Sequence, residues 1–218
     1  MALHLECVPE PAQCLARQLF PALAQHRFVL AGGTALALQL GHRVSLDFDF
    51  FTAPQSFPAR LLDTLAAKGH RLEPIQDRHD TLDVIVDGVK CSFFSYPYPF
   101  TGSPESLHGV PLASVLDIAA MKLVAIAQRG ARKDFVDLYV VLQNHDFSAV
   151  FDNALRRFGP SGPNPIHIGK SLAYFADADH DPEPVYRGPA IAWETIRQFF
   201  RSRAPTFTRR MIDAASSG

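Results

Sequence analysis

The sequence predicts an α+β fold, a small sheet-forming unit with flanking helices followed by a mainly helical half. Three observations predict it. Two strand-like runs, "TLDVIVD" and "VKCSFFSY", flank Asp87-Gly88, a dipeptide suited to a two-residue hairpin. A Pro/Gly/Ser-rich link at 96–109 marks a change of composition. From Pro111 onward apolar residues recur mostly at helical spacing. The two parts are set at residues 1–108 and 109–218.

Taken in order, 9–26 reads as a helix with Leu15, Leu19 and Leu23 four apart. "RFVLA" (27–31) is a short buried strand that Gly32-Gly33 breaks. "TALALQLGH" (34–42) is a helix that Gly41 ends. "VSLDFDFF" is the next strand, and 57–70 a helix with Pro58 in its first turn and Gly69 at its end. In the second half, "PLASVLDIAAMKLVAIAQRG" is a long helix stopped by Gly130. "RKDFVDLYVVLQNH" and "SAVFDNALRRFG" follow as two more. Loop-rich sequence at 159–189 surrounds a short helix near 168–176, and "AIAWETIRQFFRSR" is a last amphipathic helix.

The chain has 218 residues, 47% hydrophobic and 20% charged, which is ordinary globular composition and enough to bury a core. A formal net charge of −1 points to no nucleic-acid partner in bulk. Between Arg187 and Arg210, however, six arginines stand against one acid, Glu194. That end is either a solvated face or a grip for an RNA backbone. Three cysteines without CxxC spacing exclude a zinc ribbon and argue against a disulfide framework, and nine histidines lack HxxxH or HExxH spacing. Cys91 reads as a small core residue. No window approaches 18 apolar residues and the start lacks a basic, apolar leader. The expected location is cytoplasmic, with no membrane partner.

Alternation along "SLDFDFF" puts Leu46, Phe48 and Phe50 on one face and Asp47, Asp49 and Phe51 on the other. Two like charges about 7 Å apart along a strand repel each other. Either both acids face solvent, or a divalent cation resolves the conflict. Mg²⁺ takes oxygen ligands and uses one or two carboxylates together with substrate phosphates. Upstream, "VLAGGTALAL" is strand, Gly-Gly, then helix start, where free N–H groups attract phosphate. Thr34 can cap the helix or donate to phosphate. Arg43 can meet phosphate or a surface acid, and Ser45 stands two residues before the first acid. Lys122 has Ile118, Ala119, Ala125 and Ile126 as helical neighbours. It either snorkels or faces an anion. Asp134 and Asp137, three apart, share a face: a solvated acidic edge, helix-start acids, or part of a site.

Together, "GGTALALQLGHRVSLDFDFF" and the later "MKLVAIAQRGARKDFVDLY" resemble the signature of the AbiEii/AbiGii-type nucleotidyltransferases, toxins of type IV toxin–antitoxin systems within the DNA-polymerase-β-like superfamily. The resemblance covers roughly residues 25–142. It implies a nucleotidyltransferase fold, a small mixed β-sheet with flanking helices at 1–108, ahead of the helical part. Gly32, Gly33 and Thr34 would hold the triphosphate of an NTP, Arg43 and Ser45 would assist, and Asp47 and Asp49 would bind Mg²⁺. Lys122 would touch phosphate charge or the nucleotide, and Asp134 would complete the pocket, with Asp137 behind it. The implied reaction moves NMP from an NTP to an acceptor hydroxyl, RNA or tRNA, with a cognate antitoxin protein as partner. Many members of the superfamily carry a third carboxylate on a later strand, here expected within "KCSFFSY". Ser92 occupies that slot, and Asp83, which shares a face with Thr81 and Ile85, is the available substitute. Loss of the third acid leaves an alternative: a catalytically impaired nucleotide-binding module that acts by protein interaction.

Overall fold

The structure is a computed structural model that describes residues 2–102, 105–159 and 164–216. The chain divides into two units, Met1–Ser114 and Val115–Gly218.

The first unit opens with α1 (Glu10–Ala24), which buries Leu15, Leu19 and Leu23 as their spacing requires. The strand β1 (Val29–Ala31) runs directly into α2 (Gly32–Leu40), so the glycine pair begins the helix and does not merely break the strand. Gly41, at φ +67°, closes α2 in the left-handed conformation a glycine adopts freely. After β2 (Phe48–Thr52) comes α3 (Leu61–Ala66), shorter than its sequence pattern. A 3-10 turn at Pro54–Ser56 is followed by Phe57, held extended ahead of Pro58, so the helix starts only at Leu61. Then follow β3 (Leu72–Arg78), β4 (Thr81–Val86) and β5 (Val89–Ser95). Asp87 (φ 49°) and Gly88 (φ 84°) form the expected hairpin turn with both central residues left-handed.

The five-stranded sheet has the order β1-β2-β5-β4-β3. The β2–β5 pairing is parallel and the others are antiparallel, so the sheet is mixed. Its core face carries Phe48, Phe50 and Phe93, with Phe20 of α1 meeting Phe48 and Phe50 edge-on at 5.0 and 5.1 Å. The expected linker holds a small hairpin, β6 (Ser106–Leu107) and β7 (Val110–Pro111). Pro111 therefore ends a strand and does not begin a helix. The chain leaving it is tied back to β1, with the Ala113 N–H donating to the Leu30 carbonyl at 2.8 Å.

The second unit is helical, as its periodicity predicts: α4 (Val115–Gln128), α5 (Arg132–Val141), α6 (Phe147–Phe158), α7 (Pro165–Ser171), α8 (Ala176–His180) and α9 (Trp193–Ser216). Two short helices stand where one was expected. The last helix continues through Pro205 well past Arg203; the exposed proline leaves the carbonyl one turn back to solvent. Phe135 centres the core, within 5.2 Å of Phe175, 5.5 Å of Phe200 and 5.9 Å of Trp193. Among the described residues no helix is long and apolar enough to cross a membrane.

Candidate active site

In the first unit the strand-to-helix junction and the acids meet. Gly32 has φ +68°, and a Cβ built on it would overlap Asp49 Oδ2. A Cβ on Gly33 would overlap Arg43 Nη2 and stand 3.3 Å from Ser45 Oγ. Two missing side chains thus let a carboxylate, a guanidinium and a hydroxyl rest against the backbone at the start of α2. There the first-turn N–H groups and the helix dipole favour negative charge. Arg43 is buried, and its Nη1 donates to the Val44 carbonyl at 3.1 Å.

Thr34 does not cap α2, whose N-cap is Ala31. Its buried hydroxyl donates to the backbone carbonyl of Asp47 and pairs with Ser45 Oγ at 2.8 Å. That use corrects the strand assignment. β2 begins at Phe48, so Asp47 lies one residue before it, and Leu46 is 61% exposed rather than core. The reason is the brevity of β1. Its ladder ends with Ala31 opposite Asp49, because the chain then turns into α2. The Thr34 hydroxyl, not a partner strand, satisfies the Asp47 carbonyl.

Across the sheet, Asp49 is opposite Ser92 on β5, and Ser92 is opposite Asp83 on β4. Residues directly opposite share a face, so Asp49, Ser92 and Asp83 form one row, with strands about 4.8 Å apart. Ser92 is buried; Asp49, Asp47 and Asp83 are half-exposed. Burial, and then the charges of Asp49 and Asp47, push the Cys91 thiol well above its ordinary range. A protonated thiol suits a core residue and not a nucleophile.

In the second unit, Lys122 of α4 is 5% exposed and does not snorkel. Its Nζ lies 2.7 Å from Asp134 Oδ1 and 2.7 Å from Asp137 Oδ2, both acids on α5 and both fully buried. The acidic-edge reading of "RKDFVDLY" is thereby corrected. Arg129, which sequence reasoning passed over, donates to Asp134 through Nε at 2.8 Å and Nη2 at 3.0 Å. Burial raises the Asp134 carboxyl, but Lys122 and Arg129 outweigh it and hold it below the usual carboxylate range. A second buried network was also missed. Asn153 and Arg157 of α6 meet Asp117 of α4, at 2.9 Å from Asn153 Nδ2 to Oδ1 and 2.8 Å from Arg157 Nη1 to the carbonyl. Its signal was present: Asn153 and Arg157 follow buried Val150 at three and seven residues, on the buried stripe of α6.

Among the described residues no cluster of three or more His, Cys, Asp or Glu side chains could hold a metal by itself. Asp47, Asp49 and Ser92 offer oxygen donors alone, and the Asp49 carboxylate lies against Gly32 at the start of α2. Such a donor set fits Mg²⁺ that completes its shell with substrate phosphates and water.

Known proteins resemble this chain over most of its length. The family model described as nucleotidyl transferase AbiEii toxin, type IV TA system, matches residues 13–106 and 81–215. An uncharacterized protein of Aquifex aeolicus (strain VF5) is 39% identical over 183 residues, covering 83% of this chain and 87% of that protein. Two solved structures share the fold. MenT4, a nucleotidyltransferase toxin from Mycobacterium tuberculosis H37Rv, superposes with a TM-score of 0.56 at 16% identity, covering 94% of each chain. JHP933 from Helicobacter pylori gives 0.53 at 17% identity, covering 94% of this chain and 93% of that one.

Proposed function

The chain belongs to the AbiEii nucleotidyl transferase toxin family of type IV toxin–antitoxin systems, and on that premise we propose that it is a Mg²⁺-dependent enzyme transferring NMP from an NTP to a hydroxyl of RNA, with tRNA the acceptor to test first. The observation that carries the reading is Asp49 resting on Gly32 at the start of α2, with Arg43 on Gly33 beside it. A carboxylate for a metal, a cation for phosphate and the N-terminal turn of a helix share one corner. The proposal places the protein in the cytoplasm, where NTPs and tRNA are, with an antitoxin protein as partner.

In this mechanism Asp47 and Asp49 would hold Mg²⁺, which would offset phosphate charge and stabilise the attacking and leaving oxygens. The triphosphate lies at the α2 N-terminus, where Arg43, packed on Gly33, adds positive charge. The Thr34 hydroxyl, paired with Ser45, holds the carbonyl at Asp47 and so fixes the backbone that carries its carboxylate. The acceptor oxygen attacks the α-phosphorus, the bond to the β-phosphate oxygen breaks, and pyrophosphate leaves with the electron pair. Asp83, the next acid in the row after Asp49, takes the hydroxyl proton on its carboxylate. Positioning and charge stabilisation supply most of the rate in such a transfer.

Incubation with α-labelled NTPs, Mg²⁺ and total tRNA tests this. Label is expected in RNA and is expected to vanish with Asp49→Ala. Absence of both NTP binding and label incorporation by the wild type would overturn the proposal. One observation favours a second reading: Ser92 stands in register beside Asp49, where a third acid was expected. On that reading the protein binds NTP, transfers little and acts through its partner. Asp83→Asn separates the two. If Asp83 is the base, transfer falls by about a hundredfold and Ser92→Asp in the same chain restores much of it. If the protein is impaired, Asp83→Asn changes nothing and Ser92→Asp alone confers transfer.

A further inference from the structure

The aromatic stretch "YPYPF" (96–100) reads in sequence as part of a linker, yet the fold ties it to the row of acids. One pleat beyond the Asp49–Ser92 pair, Phe51 is opposite Phe94 on the same sheet face. Their rings stack at 4.9 Å. Tyr96 stands edge-on to Phe51 at 5.1 Å, and Phe100 stacks on Tyr96 at 5.6 Å with 28° between planes. Tyr98 caps the group, edge-on to Tyr96 at 5.3 Å and 38% exposed. Tyr96, Phe94 and Phe100 are half-exposed as well. Residues 96–102 carry no charged side chain, so what this surface offers is ring area. Pro97 and Pro99 bracket Tyr98 and fix two backbone φ angles, which lowers the entropy lost when a ligand orders it.

Resting on the nucleotidyl-transfer reading of the acid row, we propose that Tyr96, Tyr98 and Phe100 form a stacking platform for a nucleobase of the substrate. The occupant follows from the chemistry on either side. The neighbouring acids and glycine cradle suit a phosphate with its metal, and a nucleotide carries a planar π face one sugar away from phosphate. Half-exposed Phe94 and Phe51, buried beneath Tyr96, lie between the two on the same sheet face. Stacking on aromatic rings accepts any base, so the platform supplies affinity without choosing the base. The base belongs either to the incoming NTP or to the acceptor end of the RNA.

Three variants of the full-length protein test this: Tyr98→Ala, Tyr98→Leu and Tyr98→Phe. KM is measured for NTP and for tRNA, and direct binding is measured for ATP, tripolyphosphate and a short single-stranded RNA. Tyr98→Ala and Tyr98→Leu are expected to weaken one substrate by about tenfold, the scale of losing one base stack. Tyr98→Phe, which keeps the ring, is expected to stay within about twofold. A higher KM for NTP, with ATP then binding no better than tripolyphosphate, assigns the platform to the incoming base. A higher KM for tRNA with weaker RNA binding assigns it to the acceptor. Wild-type KM and binding values in Tyr98→Ala and Tyr98→Leu overturn the platform and leave the transfer reading standing. RNA binding that depends on Tyr98, in a wild type that neither binds NTP nor transfers, upholds the platform as a base-stacking surface and overturns the transfer reading. Absence of ATP and RNA binding by the wild type overturns both.

Discussion

Asp49 in the first unit and Asp134 in the second are both carboxylates next to a phenylalanine, and the two units treat them differently. Asp49 is half-exposed and lies against Gly32, whose missing side chain makes room for the carboxylate. Asp134 is fully buried and is matched by Lys122 and Arg129 at 2.7 to 3.0 Å. Taking a charge out of water costs several kcal/mol unless partners compensate, and at Asp134 the compensation comes from the protein itself. At Asp49 the carboxylate is half-exposed and so keeps part of its contact with water. One unit uses its acids to hold helices together; the other keeps them accessible.

Substitution of each acid or its partner can break this contrast. The largest effect is expected at Asp49: Asp49→Ala should lower transfer on the order of a thousandfold, the scale of removing one charge-stabilising group at such a centre. Its thermal unfolding midpoint should move little, because a half-exposed side chain contributes little to stability. A large loss of stability in Asp49→Ala would erase the difference between the two units.

Next comes Lys122. Lys122→Ala removes the cation that the buried Asp134 and Asp137 share and should cost about 3–5 kcal/mol in denaturant unfolding. Lys122→Arg keeps the charge and sharpens the comparison: if its KM for NTP changes while it stays folded, the lysine meets nucleotide phosphate as well as its two acids. A stable Lys122→Ala protein would show the cluster to be dispensable for folding.

The smallest effect is pH-dependent. Asp134 has a folded-state pKa below its unfolded value, so its pairing adds stability above the ordinary Asp range, near pH 4. That stability is lost as pH falls through the lower folded value. Asp87, held low first by its 2.6 Å hydrogen bond with His70 and also by the Arg71 N–H, titrates in the same direction. Comparing urea midpoints of wild type and Asp134→Asn from pH 6 to pH 3 isolates the buried acid. The wild-type advantage should shrink with acidification, and a constant gap would contradict it.

Local elements were legible where a short-range rule governs them. Leu15, Leu19 and Leu23 announced α1, Gly41 its neighbour's end, and Asp87-Gly88 the hairpin. The helical second half follows the periodicity read from sequence, and the mixed sheet is the one the family resemblance implied. Errors came where tertiary contacts override pattern. Alternation carried the strand back to Val44, but β1 offers only three residues to pair, and the Thr34 hydroxyl takes over the carbonyl at Asp47. Arg129 escaped notice because its partner lies on the next helix, five residues on, across a turn.

What the sequence by itself determined was the kind of chemistry available. A glycine pair before a helix, two acids a fixed step later, and a lysine and acids on consecutive helices are properties of residue type and spacing. Only the tertiary structure decided which of these groups meet. It laid Asp49 on Gly32 and Arg43 on Gly33, aligned Ser92 and Asp83 with Asp49, and enclosed Lys122 between Asp134 and Asp137. The physical reason is that register and burial are set by which strands and helices pack together. A charge becomes a site or a structural tie according to the water it keeps, which local sequence does not encode.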